Sequence, residues 1–269
     1  MAAVQCSTGG GGRLAGGAGL VPSKRLSVVT FNLHKGMSPF NRRSHMQEIA
    51  SALQQLSADV LFLQEVQGRH AGREQHHAGW PQHDFLAAAL THSASYGMNV
   101  RYDHGHHGNA VLSRFPQQLA ANHDISVNRL ERRGILHTVI QPEGWPQAVA
   151  CLCAHLNLLA RDRRRQYLTL QHYIQQHVPA GMPLILAGDF NDWRGEADSW
   201  LGRGCGLQEV FVQQQGQHAR TFPARLPLLP LDRIYVRGLH VNQVAVCRGQ
   251  PWSHLSDHLP LFASLSLAS

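Results

Sequence analysis

Short runs of apolar residues alternate along the chain with stretches in which apolar residues recur every three or four positions. The short runs predict strands, because apolar runs of this length between turn-forming residues are typical of buried strands. They lie at residues 26–31, 60–63, 109–112, 135–140, 148–154, 183–187, 231–236, 241–246 and 261–265. Helical spacing predicts helices at residues 44–56 and 161–177. Since both kinds of element recur throughout, we expect an α/β protein.

The strands predicted in the last third follow one another with few helical residues between them. This spacing favours antiparallel neighbours, so we expect mixed sheets instead of a uniform parallel series. Residues 1–24 are rich in glycine and alanine, which predicts a flexible leader. We find no linker that would divide the remainder, and residues 25–269 are therefore interpreted as a single domain.

The amino-acid composition and net charge indicate a globular protein with a basic surface. The chain has 269 residues, 43% of them hydrophobic and 15% charged, which allows a sizeable core. The formal net charge is +7, and Lys24 and Lys35 are the only lysines, so the positive charge is nearly all guanidinium. Guanidinium suits phosphate, although genome composition explains the bias equally well. No apolar run reaches the ~18–20 residues of a membrane-spanning helix, and we expect a cytoplasmic monomer.

Several predicted strands end in polar residues. Asn32 follows the first strand, Gln64-Glu65 the second, His155 the fifth, and Asp189-Phe190-Asn191 the sixth. Strand ends of this kind gather polar side chains into a cleft.

Glu65 is the first candidate for chemistry, because a carboxylate beside an apolar strand needs a partner and the neighbouring sequence offers no arginine or lysine. A divalent cation would satisfy it. Carboxylate and amide oxygens favour Mg²⁺ or Mn²⁺ over zinc, and Asn32 supplies the second oxygen. The alternative is a glutamate that faces solvent at the strand end.

Asp189 and Asn191 project to the same side of an extended chain, where they could orient a water molecule and a phosphate oxygen. The alternative is an ordinary Asx turn. In Ser256-Asp257-His258 the three side chains cannot converge into a catalytic relay, so another carboxylate must orient His258. Asp232 is the candidate, unless it pairs with an arginine such as Arg233.

Taken in order, these elements resemble the endonuclease/exonuclease/phosphatase superfamily, with its DNase I-like and sphingomyelinase-like members. The resemblance covers residues ~25–266 and is closest to a bacterial group to which no substrate can be assigned. The motifs are Asn32, Gln64-Glu65, Gly108-Asn109-Ala110-Val111-Leu112-Ser113-Arg114, His155-Leu156, Gly188-Asp189-Phe190-Asn191, Leu231-Asp232-Arg233-Ile234 and Ser256-Asp257-His258. It implies a DNase I-like four-layer α/β/β/α sandwich of two packed mixed β-sheets.

The resemblance also implies roles for the candidate residues. Asn32 and Glu65, assisted by Asp257, would hold Mg²⁺. The predicted catalytic residues are His155, Asp189, Asn191, Asp232 and His258, and the predicted substrate-binding residues are Asn109 and Arg163. The sequence leaves open whether Asp189 or His258 takes the proton. Asn109 could instead cap a strand, and Arg163 could instead anchor a helix to a loop.

These roles predict a Mg²⁺-dependent hydrolase of phosphodiester bonds, nuclease-like, whose partner is nucleic acid or a phospholipid headgroup. The alternative is a lipid-headgroup phosphodiesterase or a phosphomonoesterase, similar to sphingomyelinases, inositol-phosphate phosphatases or the enzymes that remodel glycosylphosphatidylinositol lipids. An exposed apolar loop near the site, for which residues 226–230 are a candidate, would favour lipid. A non-catalytic binding module is the remaining hypothesis.

Overall fold

The protein is described by a computed structural model that covers residues 25–37, 45–70 and 80–268. The predicted leader, residues 1–24, lies outside the described residues. Twelve described strands form two six-stranded sheets. In chain order they are β1 (Leu26–Asn32), β2 (Val60–His70), β3 (Ser93–Tyr102), β4 (Gly105–Ser113), β5 (Gln117–Asp124), β6 (Gly134–Ile140), β7 (Val149–His155), β8 (Leu184–Asp189), β9 (Gln208–Glu209), β10 (Asp232–Arg237), β11 (Leu239–Val246) and β12 (Leu261–Leu267).

The first sheet has the order β11-β12-β1-β2-β4-β3, and the second has the order β5-β6-β7-β8-β10-β9. Each contains one parallel pair, β1 with β2 and β7 with β8, and its other pairs are antiparallel. The described helices are α1 (Met46–Leu56), α2 (Gln82–Leu90), α3 (Ala160–His177), α4 (Glu196–Cys205), α5 (Val210–Gln215) and α6 (Trp252–Leu255), with a 3₁₀ turn at His34–Gly36.

The central strands of the sheets are buried on both faces, and this explains why β1, β7 and β8 are nearly continuous apolar runs. Successive residues of a strand face opposite sides of the sheet. Val28 lies between the two sheets, whereas Val29 packs beneath α1 and its neighbours. In β7, Cys151 faces the other sheet and Leu152 faces α3 and α4. The predicted four-layer α/β/β/α sandwich is therefore confirmed.

One predicted arrangement is wrong. We expected the strands of the last third to be neighbours, and β11 and β12 do pair, but β10 pairs with β8 and β9 in the other sheet. The change of sheet occurs at Gly238, whose φ of 68° reverses the chain between β10 and β11. None of the described helices has the length and apolarity needed to cross a membrane.

Candidate active site at the strand ends

The polar strand ends of both sheets meet at one edge of the sandwich. Asn32, the last residue of β1, is paired with Gln64 in the parallel strand β2, which continues beyond it to His70. In the second sheet His155 pairs with Asp189, and Asp189 pairs with Asp232 at the start of β10. The structure thus brings the predicted residues of four strands to a common place, as the strand-end pattern predicts.

Asp189 is the side chain around which the others are arranged. Its Oδ2 accepts a hydrogen bond of 3.0 Å from Asn32 Nδ2, and its Oδ1 accepts one of 3.0 Å from the backbone N–H of Asn191. The Nε2 atoms of His155 and His258 lie 3.5 and 3.8 Å from the same Oδ2. Burial is the largest influence on this carboxyl and raises its pKa to about 6.

His258 lies between two buried carboxylates. Its Nδ1 is 2.8 Å from Asp232 Oδ2, which fixes the ring so that Nε2 points towards Asp189. Burial alone would lower the pKa of the imidazole, but Asp232 and Asp189 outweigh it and raise the pKa to about 10. The ring is therefore a charged donor at neutral pH. The aromatic ring of Phe222 packs on its face, with centroids 5.0 Å apart.

His155 is held in the opposite protonation state. It is buried, and burial is the main reason that its pKa lies well below the usual value for histidine. A neutral imidazole can donate from one ring nitrogen only, so the site contains one charged and one neutral histidine on either side of the Asp189 carboxyl.

Glu65 occupies a β-bulge, not the strand end that the apolar pattern suggested, since β2 continues to His70. The register of β2 with β4 shifts between Leu63 and Val66, and Glu65 has a φ of 53°. Its Oε2 is buried and accepts no hydrogen bond of good geometry, although Lys35 Nζ lies 3.2 Å away. The expectation that no lysine neutralises Glu65 is thus wrong, because the turn after β1 brings Lys35 back to β2.

Burial opposes ionisation of the Glu65 carboxyl, yet its pKa falls to about 2. The neighbouring basic side chains, His155 first and then Lys35 and His107, favour the ionised carboxylate and outweigh the cost of burial. The carboxyl is therefore ionised throughout the physiological range and is able to ligate a cation.

Asn32 and Asp257 share a short network beside Glu65. Asn32 Oδ1 accepts a hydrogen bond of 3.0 Å from the backbone N–H of His34, and Asp257 Oδ2 lies 3.4 Å from His34 Nδ1. Ser256 Oγ donates to the backbone carbonyl of Asn32 at 2.8 Å. The segment before β12 is thereby fixed to the end of β1, which places Asp257 at the same edge as the other predicted metal ligands.

A second set of donor atoms could also hold a cation. Among the described residues, Asp189, Asp232 and His258 each offer a ligand atom, and these atoms lie within 4.8 Å of one another. The 2.8 Å hydrogen bond between His258 and Asp232 already uses two of them. The set is therefore better explained as a hydrogen-bonded group than as a metal site.

The two predicted substrate-binding residues are fully buried. Asn109 Nδ2 donates to the carbonyls of Gly134 and Cys153 at 2.9 and 3.2 Å, and so it joins the first sheet to the second. The guanidinium of Arg163 donates to the carbonyl of Leu158 and lies 5.0 Å from the Trp193 ring centroid. These contacts favour anchoring of strands and loops, and direct contact with substrate stays a prediction for both residues.

Sequence reasoning missed three residues of the site. Lys35, His107 and Phe222 influence Glu65 or His258, and they come from the turn after β1, from β4 and from the loop before β10. They lie in Asn32-Leu-His-Lys-Gly36, His106-His107-Gly108-Asn109-Ala110 and Thr221-Phe-Pro223. Lys35 and His107 stand within three residues of the motif residues Asn32 and Asn109, and this proximity was the available signal for those two.

Comparison with known proteins agrees with this geometry. The model of the Endonuclease/Exonuclease/phosphatase family matches residues 29–258. An uncharacterised protein of Escherichia coli K12, YbhP, is 42% identical over 243 residues, which cover 89% of this chain and 96% of YbhP.

Solved structures share the fold. An endonuclease/exonuclease/phosphatase from Beutenbergia cavernae has a TM-score of 0.73 at 21% identity and covers 91% of this chain and 72% of that one. TDP2 of D. rerio, solved with a single-strand DNA product, has a TM-score of 0.67 at 18% identity and covers 90% of this chain and 99% of its own. The extent of the family match and the identity to YbhP together show that this chain belongs to the endonuclease/exonuclease/phosphatase family.

Proposed function

We propose that the protein is a Mg²⁺-dependent hydrolase of phosphodiester bonds, with Mn²⁺ as a possible substitute. The observation that carries the proposal is the buried group in which His258, held charged by Asp232, faces the Asp189 carboxyl across 3.8 Å. Phosphoester hydrolysis needs a positioned water, an acceptor for its proton and donors to the phosphoryl oxygens. This group offers an acceptor and a donor side by side.

Glu65 and Asn32 are the residues proposed to hold the metal, with Asp257 close enough to assist. The Glu65 carboxylate supports this assignment, because its Oε2 forms an ion pair with Lys35 but accepts no hydrogen bond of good geometry and so keeps lone pairs for a cation. The donor set consists of carboxylate and amide oxygens, as Mg²⁺ prefers. A bound Mg²⁺ would neutralise charge on the phosphoryl oxygens.

Asp189 is proposed to orient the attacking water and to accept its proton. Asn32 and the N–H of Asn191 hold its carboxylate in place, and its raised pKa suits proton transfer near neutral pH. His258 would donate from Nε2 to the phosphoryl group, and His155 would donate a second, weaker hydrogen bond. Asp232 acts through His258 and is a positioning residue.

Hydrolysis by His258→Ala and His218→Ala tests this mechanism. His218 also pairs with an aspartate, Asp198, at 2.8 Å, but lies outside the site, and it is therefore a matched control. We expect wild type and His218→Ala to cleave bis-p-nitrophenyl phosphate and to nick supercoiled plasmid in Mg²⁺ or Mn²⁺. The rate of hydrolysis by His258→Ala should be at least about 100-fold lower than that of wild type, because the variant lacks the charged donor. Activity that survives in EDTA or in His258→Ala would overturn the mechanism.

Two classes of substrate are candidates for this activity, nucleic acid and the phospholipid headgroup. Nucleic acid is one candidate, suggested by the fold that the chain shares with TDP2, which was solved with a DNA product. At 18% identity this likeness concerns the fold and not the substrate. Exposed leucines beside the site favour the phospholipid headgroup. Leu226 and Leu228, in the loop that the sequence pattern singled out, are 64% and 54% exposed. A non-catalytic binding module is less well supported, because every residue that the chemistry needs is present.

A further inference from the structure

Four loops surround the open edge of the site, and we call them the rim loops. They comprise residues 125–133, residues 156–161, of which the last two begin α3, and residues 190–195 and 221–231. The second and third follow β7 and β8 directly, and the fourth leads into β10. The first joins β5 to β6, and the antiparallel pairing of Ile135 with Ala154 places it beside the end of β7. All four loops therefore lie at the strand edge that carries His155, Asp189 and Asp232.

Side-chain contacts fix the first three rim loops to one another. Arg133 Nε donates to the Leu156 carbonyl at 3.2 Å, which joins the first loop to the second. The buried Arg163 donates to the Leu158 carbonyl, and its guanidinium lies against the Trp193 ring. It thus joins the second loop to the third, so these loops form one surface.

The fourth rim loop is fixed to the catalytic residues themselves. The backbone N–H of Ala224 donates to the Asp257 carbonyl at 2.7 Å, and the Phe222 ring packs on His258. The exposed Leu226 and Leu228 are therefore only a few residues from contacts with the site. A surface that engages this loop would lie directly against the mouth of the site.

Exposed apolar side chains are concentrated on the rim loops. Of the ten large hydrophobic residues that are exposed in the described part of the chain, seven lie here. They are Leu130, Leu158, Leu159, Trp193, Leu226, Leu228 and Leu229. Each loop contributes at least one. Single exposed leucines are ordinary on a protein surface, but a cluster around a site marks a surface that binds something apolar.

Exposed arginines accompany these apolar residues on every rim loop. They are Arg129, Arg132, Arg161, Arg194 and Arg225. Acidic residues on the loops are few: Glu131 is partly buried and pairs with Arg133 at 3.3 Å, and Asp192 is fully buried. The rim is thus apolar and positively charged together, a combination typical of proteins that insert into the interface of an anionic membrane.

We propose that the rim loops dock on an anionic lipid surface, so that the phosphoester presented to the site is a phospholipid headgroup. The identification of the headgroup as substrate rests on the proposed function; the docking itself does not. Leucine side chains gain free energy on entering an acyl layer but offer no ring on which a base can stack. Trp193 is the one aromatic residue among the exposed rim side chains, and for this reason lipid is favoured over single-stranded nucleic acid.

Sedimentation with vesicles tests docking without requiring catalysis. The probes are vesicles of phosphatidylcholine alone and of phosphatidylcholine with phosphatidylglycerol in equal parts. We expect binding to the mixed vesicles, weaker binding to the zwitterionic ones, and undiminished binding by His258→Ala. The double variant Leu226→Ser/Leu228→Ser should bind the mixed vesicles about tenfold more weakly, because two apolar side chains no longer enter the interface.

Matched variants away from the rim complete the design. Leu168 is 43% exposed on α3, about 12 Å along the helix from its start, and Arg203 is exposed on α4. Leu168→Ser and Arg203→Gln should bind vesicles as wild type does, whereas Arg194→Gln/Arg225→Gln should lose the preference for phosphatidylglycerol. Docking is overturned if no vesicle binds, if Leu168→Ser loses as much as the rim variant, or if the rim variants weaken binding of a single-stranded oligonucleotide instead.

Vesicle binding and hydrolysis give separable answers. Binding to vesicles without hydrolysis of any phosphodiester would overturn the proposed function and leave docking in place. Hydrolysis of bis-p-nitrophenyl phosphate without vesicle binding would overturn docking and leave the proposed function in place.

Discussion

Four non-glycine residues of the site have backbone in the left-handed region. Six described non-glycine residues have positive φ, and two of them, Ser57 and Thr91, end helices. The other four are His34, Lys35, Glu65 and Asn191. Such conformations cost of order 1 kcal/mol and persist where the surrounding structure fixes them. Their concentration here shows that the orientation of these side chains is determined by the fold around them.

Lys35 would compete with the proposed Mg²⁺ for Glu65. Because its ammonium lies 3.2 Å from Glu65 Oε2, Lys35→Met should remove a positive charge from the proposed metal site and tighten Mg²⁺ binding by about fivefold. The measurement is the Mg²⁺ dependence of Tm, with Glu65→Gln as the variant that should lose the dependence altogether. Weaker Mg²⁺ binding by Lys35→Met would show that Glu65 and the lysine do not share a cation site.

His137 should make the fold less stable in acid. Burial lowers its pKa to about 4, and the nearby His177 adds to the effect, while its Nδ1 lies 3.1 Å from Tyr173 Oη. The exposed His123 also packs on Tyr173. Because the unfolded chain takes up this proton below about pH 6.5 and the folded chain only below about 4, the free energy of unfolding should fall across that interval, by about 3 kcal/mol.

Urea unfolding of wild type and His137→Gln between pH 7 and 4 measures this contribution. Glutamine can still hydrogen-bond to Tyr173 but does not titrate. The variant should show the shallower pH dependence, and parallel curves for the two proteins would exclude His137 as the source of acid sensitivity.

Sequence reasoning identified side chains more successfully than their partners. Glu65, Asp189, Asp232 and His258 follow from polar residues beside apolar runs, and the structure brings the last three together. The Lys35 partner of Glu65 could not be found in this way, because thirty residues separate the two and a bulge sets their contact. A helical pattern does not show whether an arginine on the helix points towards substrate or towards a loop. Arg163 was predicted to bind substrate, but its contacts in the structure are with loop residues.

Among the elements, the pair β7 and β8 sets the distance between His155 and Asp189. Gly188 makes the pairing possible: its φ is 150°, and a Cβ there would lie 1.8 Å from the Ala154 carbonyl oxygen. A larger residue must therefore push the two strands apart immediately before Asp189.

Gly188→Ala should destabilise the protein by about 3 kcal/mol or more and should reduce activity in whatever fraction folds. Gly181→Ala is the matched control, because a Cβ at that position meets nothing within 4 Å. Urea unfolding followed by circular dichroism gives the comparison. Equal stability of the two variants would contradict the close approach of β7 and β8.

Elements with a polar face were the ones that sequence reasoning did not predict. Strand β3 has an apolar residue only at every second position, from Ala94 to Tyr102, so it contains no continuous apolar run of the kind by which the other strands were recognised. Helices α2 and α4–α6 are short and stand at turns. Strands buried on both sides, such as β7, were found with almost correct limits, because continuous burial produces a continuous apolar run.

For the molecule as a whole, the two sheets share the site between them. Asn32 and Glu65 belong to the first sheet, whereas Asp189 and Asp232 belong to the second. Their relative position depends on the apolar layer between the sheets, which includes Cys151 and Cys153. The spacing of the strands predicted mixed strand directions, but the division into two sheets was predicted only through the family resemblance, because no local pattern shows which strands belong to which sheet.

The reactivity of the Cys151 and Cys153 thiols should show when the two sheets separate. Both thiols are fully buried and free, and burial raises the pKa of Cys153 to about 12. In a Cys6→Ser variant we expect neither thiol to react with a thiol reagent in native buffer, and both to react at the urea concentration where activity is lost. Labelling followed by peptide mass spectrometry measures this, and reaction of Cys153 in active protein would contradict it.

The order of strands in the first sheet has a consequence for synthesis on the ribosome. In the first sheet, β1 lies between β12 and β2. In the sequence, β2 follows β1 closely, whereas every strand of the second sheet precedes β12. The nascent chain therefore carries β1 with one hydrogen-bonding edge unoccupied until the last strand emerges, and His258 arrives with that strand. An open edge invites pairing with other chains. Expression conditions that slow elongation late in the message should thus prolong an aggregation-prone and inactive intermediate.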